Sequence, residues 1–204
     1  MKKTDGQFFV FTMHERYLAM AFKAYSKYLE LDKELKKYRN HQDYLGFAMI
    51  LEPQKSDQLT ITVIFSALCL EAFINHYAIS NLKRPYFDNY IERLRVNQKW
   101  MIVPQLVTGK SFKMESHEMA KLKSLFKMRD SLVHYKTCTF ENLDQFIKDN
   151  KKKHFVTPDK AKFALSAVPA IIKGLHKLDP KVELDWITIE ALVKRIYPGY
   201  RGAK

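Results

Sequence analysis

The stretch ITVIFSALCLEAFINHYAI, residues 61–79, constrains this chain more than any other. A membrane span needs about 20 apolar residues and disfavours an ionised side chain at its centre. Glu71 sits at the middle of this run, with Asn75 and His76 after it. The segment therefore reads as a helix inside a protein core, and no membrane span is expected. Its β-branched residues would also suit a strand, but the periodic region extends from about Gln58 to Asn81 without a turn signal, and strands usually run about 4–8 residues. Being apolar on most sides, the helix belongs at the centre of a bundle. A carboxylate in such a helix must find a partner or protonate, and Arg129 is an available cation.

The flanking sequence supplies the other helices. From Met13 to Arg39, Leu18, Ala21, Phe22, Tyr25, Leu29 and Leu35 recur at helical spacing, with charged residues on the other faces. Residues 39–58 break the periodicity, with Gly46 and Pro53 as punctuation and Ser56 or Asp57 able to cap the central helix. After Pro85, YFDNYIERLR predicts a short third helix. WMIVPQLVTGKSF, residues 100–112, reads as an irregular segment that packs Trp100 and Phe112 on the bundle. Its TGKS is not a phosphate loop, because Pro104 stands where the first glycine of G-x-x-x-x-G-K-[ST] is required. A fourth helix runs from Ser116 to Tyr135. Thr157-Pro158-Asp159 starts another that reaches about Leu178 with a kink at Pro169, and LDWITIEALVKRI predicts a last one. The expected architecture is all-α: an up-and-down bundle of five to six helices. It forms a single domain over residues 1–204, with a core at about 13–135 and a C-terminal helical extension at about 157–197.

Composition narrows the class. Cys69 and Cys138 have neither disulfide-framework nor metal-ligand spacing, which suggests reduced thiols and a cytoplasmic protein. FFVF near the N-terminus is too short for a secretory signal. No H-E-x-x-H, cysteine pair or acidic cluster suggests a metal, and no cofactor is expected. The formal charge is +13, from 35 Lys and Arg against 22 Asp and Glu. Excess positive charge concentrates polyanions, so RNA is the leading partner. Lys151, Lys152 and Lys153 form either a solvated face or an RNA-contacting loop.

One motif could carry chemistry. KMRDSLVHYK, residues 127–136, places Arg129 and His134 at the end of the fourth helix. Five residues on an ideal helix turn through about 500°, so the two side chains diverge by about 140°. They come together only if the helix ends near Val133, or if a second copy of the chain supplies the missing partner. Without such an arrangement, Arg129 serves an acidic neighbour and His134 the helix dipole.

RDSLVH resembles the R-x(4–6)-H signature of HEPN domains, all-helical proteins of which many are ribonucleases acting as toxins, antiphage effectors and RNA-processing nucleases. SALCLEAFINHYAI also resembles the buried helix that precedes the motif in bacterial relatives. The resemblance implies a homodimer with a metal-independent endoribonuclease site, in a toxin–antitoxin or antiphage setting where an antitoxin protein is a further partner. Arg129 would grip the scissile phosphate and His134 act as general acid or base, with Glu71 and Asp130 supporting them and Lys127, Lys136 and Lys151 to Lys153 contacting RNA. The residue after the arginine is most often Asn in the family. Here it is Asp130, which can face His134 or else pair with Arg129 and blunt phosphate binding. The alternatives are a non-catalytic nucleotide- or RNA-binding module and a protein-interaction domain, the latter marked by Arg129 buried against Glu71 with His134 far from any cleft.

Overall fold

The computed structural model describes residues 13–134 and 156–188. It contains α1 (His14–Lys37), α2 (Tyr44–Leu82), α3 (Arg84–Tyr86), which leads directly into a π-helical turn (Phe87–Ile91), α4 (Val96–Thr108), α5 (His117–Val133) and α6 (Pro158–Leu178). No strand occurs among the described residues. The chain is an all-α bundle, as its periodicity requires.

All the other helices pack on α2. Asp32 pairs with Lys55 at 2.9 Å, and the Thr62 hydroxyl reaches the Ala21 carbonyl at 3.5 Å. Contacts that climb α2 while descending α1 make the two helices antiparallel. The core between them and α4, α5 and α6 holds Leu18, Leu70, Ile74, Trp100, Leu122 and Ile171, all essentially inaccessible to solvent. Each such side chain stabilises the fold by about 1.5–3 kcal/mol relative to exposure. By length and composition α2 could cross a membrane. Within the bundle its polar groups find protein partners: the Ser66 hydroxyl donates to the Thr62 carbonyl at 2.8 Å, and Thr62 donates to that of Gln58 at 2.8 Å.

Several local expectations are corrected. Residues 39–58 are not irregular throughout, because α2 begins at Tyr44 and continues through Gly46 and Pro53. Tyr44, Phe47, Ala48 and Leu51 cover Leu31 and Leu35 of α1, and Phe47 stacks on Tyr38 at 3.8 Å. The backbone bond lost at Pro53 leaves the Met49 carbonyl without its helical donor, and Met49 is 79% exposed, so water can serve it. Residues 100–112 likewise contain most of α4. Gly109 closes that helix in the left-handed region at φ 72°, and the Ser111 hydroxyl donates to the Met101 carbonyl at 3.0 Å. Trp100 and Phe112 are buried as expected, 6.2 Å apart. The short third helix is mostly the π-helical turn, which turns both Phe87 and Ile91 inward. Of the expected final helix, residues 184–188 hold only a turn and a bend, and the remainder lies outside the described residues. α6 runs unbroken through Pro169. Its start matches the sequence signal, with the Thr157 hydroxyl accepting from the Lys160 N–H at 3.3 Å and Pro158 in the first turn.

His14, the first residue of α1, lies edge-on to Trp186 at 4.5 Å and to Phe73 at 5.1 Å, with the His76 ring 5.5 Å away. Burial lowers the His76 pKa from 6.5, so folding favours its neutral form. The unfolded chain then binds more protons below that pH, and stability must fall as pH drops from about 6.5 towards the folded-state value. We expect the thermal midpoint to decline over that range and the His76→Gln variant to show a shallower decline. A second expectation concerns Gly174 on α6. A Cβ there would stand 2.7 Å from Glu118 Cγ and 2.9 Å from Phe112 Cε1. Gly174→Ala should cost about 1–3 kcal/mol in urea denaturation, the penalty of overpacking rather than the usual gain of a helical alanine.

Candidate functional site

The candidate site lies where the C-terminal part of α5 meets the C-terminal half of α2. Ser116 starts α5 by accepting the Met119 N–H at 3.3 Å, and Met119, Leu122, Leu125 and Phe126 turn into the core. This anchoring brings Arg129 against α2. Its Nη2 donates to Glu71 Oε2 at 3.2 Å, and its Nη1 lies 3.0 Å from Asp130 Oδ1. The guanidinium also sits 5.2 Å from the centre of the Phe126 ring. Arg129 Nε is buried without a hydrogen-bond partner. The side chain is 19% exposed, enough for two of its nitrogens to be held by protein and for one edge to reach solvent.

Glu71 thus has the cation that an apolar helix demands of it. The Arg129 charge, in turn, is shared between two carboxylates. Asp130 turns towards Arg129 rather than towards His134, since the bond that joins Asp130 to His134 is the main-chain one from the His134 N–H to the Asp130 carbonyl, at 2.9 Å.

His134 stands apart. α5 ends at Val133, and His134 follows it as the C-cap with φ −104° and ψ 58°, its side chain exposed. None of the hydrogen bonds or ion pairs among the described residues joins it to Arg129 or Glu71. An exposed imidazole on a non-helical backbone is free to meet a group presented from outside the chain. Lys127 is exposed one turn before the end of α5. Lys136 and Lys151 to Lys153 lie outside the described residues.

Sequence reading missed one member of the cluster. Lys99 of α4 is 4% exposed, and its ammonium donates to Asn75 Oδ1 at 2.9 Å and faces the Phe87 ring at 5.5 Å. Asn75 is one turn beyond Glu71 on α2. Burial depresses the Lys99 pKa, and attraction to Glu71 and Glu92 opposes that shift in part. The available signal was the i, i+4 set Lys99, Trp100, Val103 and Pro104, which reads as one buried face once the segment is taken as a helix. No group of three or more His, Cys, Asp or Glu side chains among the described residues could hold a metal ion. The described cysteine, Cys69, is buried, and burial raises its thiol pKa, so it is no nucleophile. Compared with protein-family models, with curated proteins and with solved structures, the chain matches none.

The two carboxylates around Arg129 should differ in cost. Glu71→Gln leaves a partly buried guanidinium with a weaker acceptor and should destabilise by about 1–2 kcal/mol, whereas Asp130→Asn, at an exposed pair, should change stability by less than about 1 kcal/mol. Urea titrations of the two variants against the parent chain check this order.

Proposed function

We propose that this chain is a metal-independent endoribonuclease of HEPN type whose site is completed across a homodimer and whose arginine is restrained in the single chain. The observation that carries the reading is the placement of Arg129. A guanidinium is fixed at the end of a helix by a carboxylate of the central helix, and five residues later His134 leaves the helix exposed. The +13 charge supplies the long-range attraction for RNA.

The chemistry follows from what RNA cleavage requires. The 2′-oxygen attacks phosphorus as its proton passes to a base, and the P–O5′ bond breaks as the 5′-oxygen takes up a proton. The products are a 2′,3′-cyclic phosphate and a 5′-hydroxyl. One imidazole cannot accept and donate in the same event, but His134 from each of two copies can divide the two transfers. Arg129 stabilises the charge that builds on the non-bridging oxygens, by bidentate donation once a nitrogen is freed from its carboxylates. A bacterial toxin or antiphage role, with an antitoxin as partner, belongs to the same proposal and rests on the motif's resemblance.

A second reading has its own support. Arg129 held by both Glu71 and Asp130 is poorly placed to take up transition-state charge, as in a module that binds RNA or protein without cutting. The two readings separate in one assay. Purified parent chain and His134→Ala are incubated with a mixed RNA pool in EDTA, and the product ends are determined. Cleavage that leaves cyclic phosphate and falls by about 100-fold or more in His134→Ala supports the ribonuclease. No cleavage, or equal cleavage by both proteins, sinks it and leaves the binding module. On the first reading Asp130→Asn releases one restraint, and its cleavage rate should rise by up to about fivefold.

A further inference from the structure

Lys99 is the buried charge that the proposed chemistry does not use. Its side chain is almost wholly enclosed, yet no carboxylate lies within ion-pair distance among the described residues, and its hydrogen bond goes to the amide oxygen of Asn75. Leaving an ammonium so placed is costly unless its charge is compensated from nearby. Glu71 and Glu92 are the acidic groups whose attraction it feels. Across α5, α2, α4 and the end of the π-helical turn the charges therefore alternate: Asp130, Arg129, Glu71, Lys99, Glu92. Glu71 serves two cations, one bonded directly and one held a helical turn away through Asn75.

The geometry points to Lys99 as a positioning residue that allows Arg129 to leave Glu71 for a phosphate. When a phosphate oxygen draws the guanidinium away, Glu71, with only a third of its side chain exposed, loses its one bonded cation. Lys99 remains beside it and offsets that charge, so the exchange of partners costs less. Without Lys99, Glu71 depends on Arg129 alone and ties it down. Lys99 would thus govern RNA binding from a position that RNA does not touch. This inference rests on the reading of Arg129 as the phosphate-binding group.

The test uses the full chain in EDTA, carrying His134→Ala so that RNA stays intact, and a short fluorescent single-stranded RNA. Adding Lys99→Met should weaken binding by about fivefold, and adding Glu71→Gln on top should restore it, because the neutral amide no longer ties Arg129. Glu92→Gln in place of Glu71→Gln makes the same change in net charge nearby and should not restore binding. Unchanged affinity in Lys99→Met overturns the inference. So does a loss that Glu71→Gln fails to rescue, which marks a merely structural lysine, or one that Glu92→Gln rescues equally, which marks general electrostatics. A second readout needs no RNA: rotation of the Arg129 guanidinium about its Nε–Cζ bond, followed by NMR. It should slow in Lys99→Met and exceed the parent rate in Lys99→Met with Glu71→Gln. If none of the proteins binds RNA, the functional reading fails, and the rotation rates decide the Lys99 inference separately: an unchanged rate in Lys99→Met overturns it.

Discussion

The contact on which the candidate site depends is the ion pair between Glu71, a one-third-exposed carboxylate of the central helix, and Arg129 of α5. α5 brings Arg129 to Glu71, in the C-terminal half of α2, at 3.2 Å. The pair ties to α2 a helix already seated by Met119, Leu122, Leu125 and Phe126, and His134 emerges just beyond it. Fold and candidate chemistry are joined at this contact. On the proposed reading, the residue that pairs with Glu71 is also the one that grips a phosphate, so that function begins by loosening a bond that the fold uses.

The surrounding charges set how hard that loosening is. Asp130 draws on the outer edge of the guanidinium, in water and at a modest energy. Glu71 holds the inner edge in a drier setting where each charge counts for more. Lys99 lies beyond Glu71, enclosed by Asn75 and Phe87. The three helices are therefore coupled electrostatically at one level of the bundle, below the point at which α5 ends.

Much of the fold was legible because periodicity reports burial. α1, α5 and α6 lie where their apolar spacing places them, and Thr157-Pro158 marks the start of α6 to the residue. The misses share a cause: prolines at 53 and 104 read as breaks, yet both lie inside helices that tertiary packing holds together. In α2 the support comes from Phe47 and Leu51 against α1, and no local rule reports it. At the site, Arg129 as the partner of Glu71 was legible, since the chain offered an anion within an apolar run and a cation on a neighbouring helix. The choice of Asp130 between Arg129 and His134 was open, because i, i+1 and i, i+4 contacts compete and only the C-terminal unwinding at His134 decides it. Lys99 was hidden by the misread α4, since a lysine just before a segment read as irregular gives no reason to expect burial.

On the proposed reading, no single chain completes the site. The most direct test is the specific activity of RNA cleavage as a function of protein concentration, with the oligomeric state followed in parallel by analytical ultracentrifugation. The account expects activity per chain to rise with concentration in step with the dimer fraction and then to level off. Activity per chain that stays constant down to concentrations where only monomers sediment would contradict it, since Arg129 and His134 would then be acting within one chain.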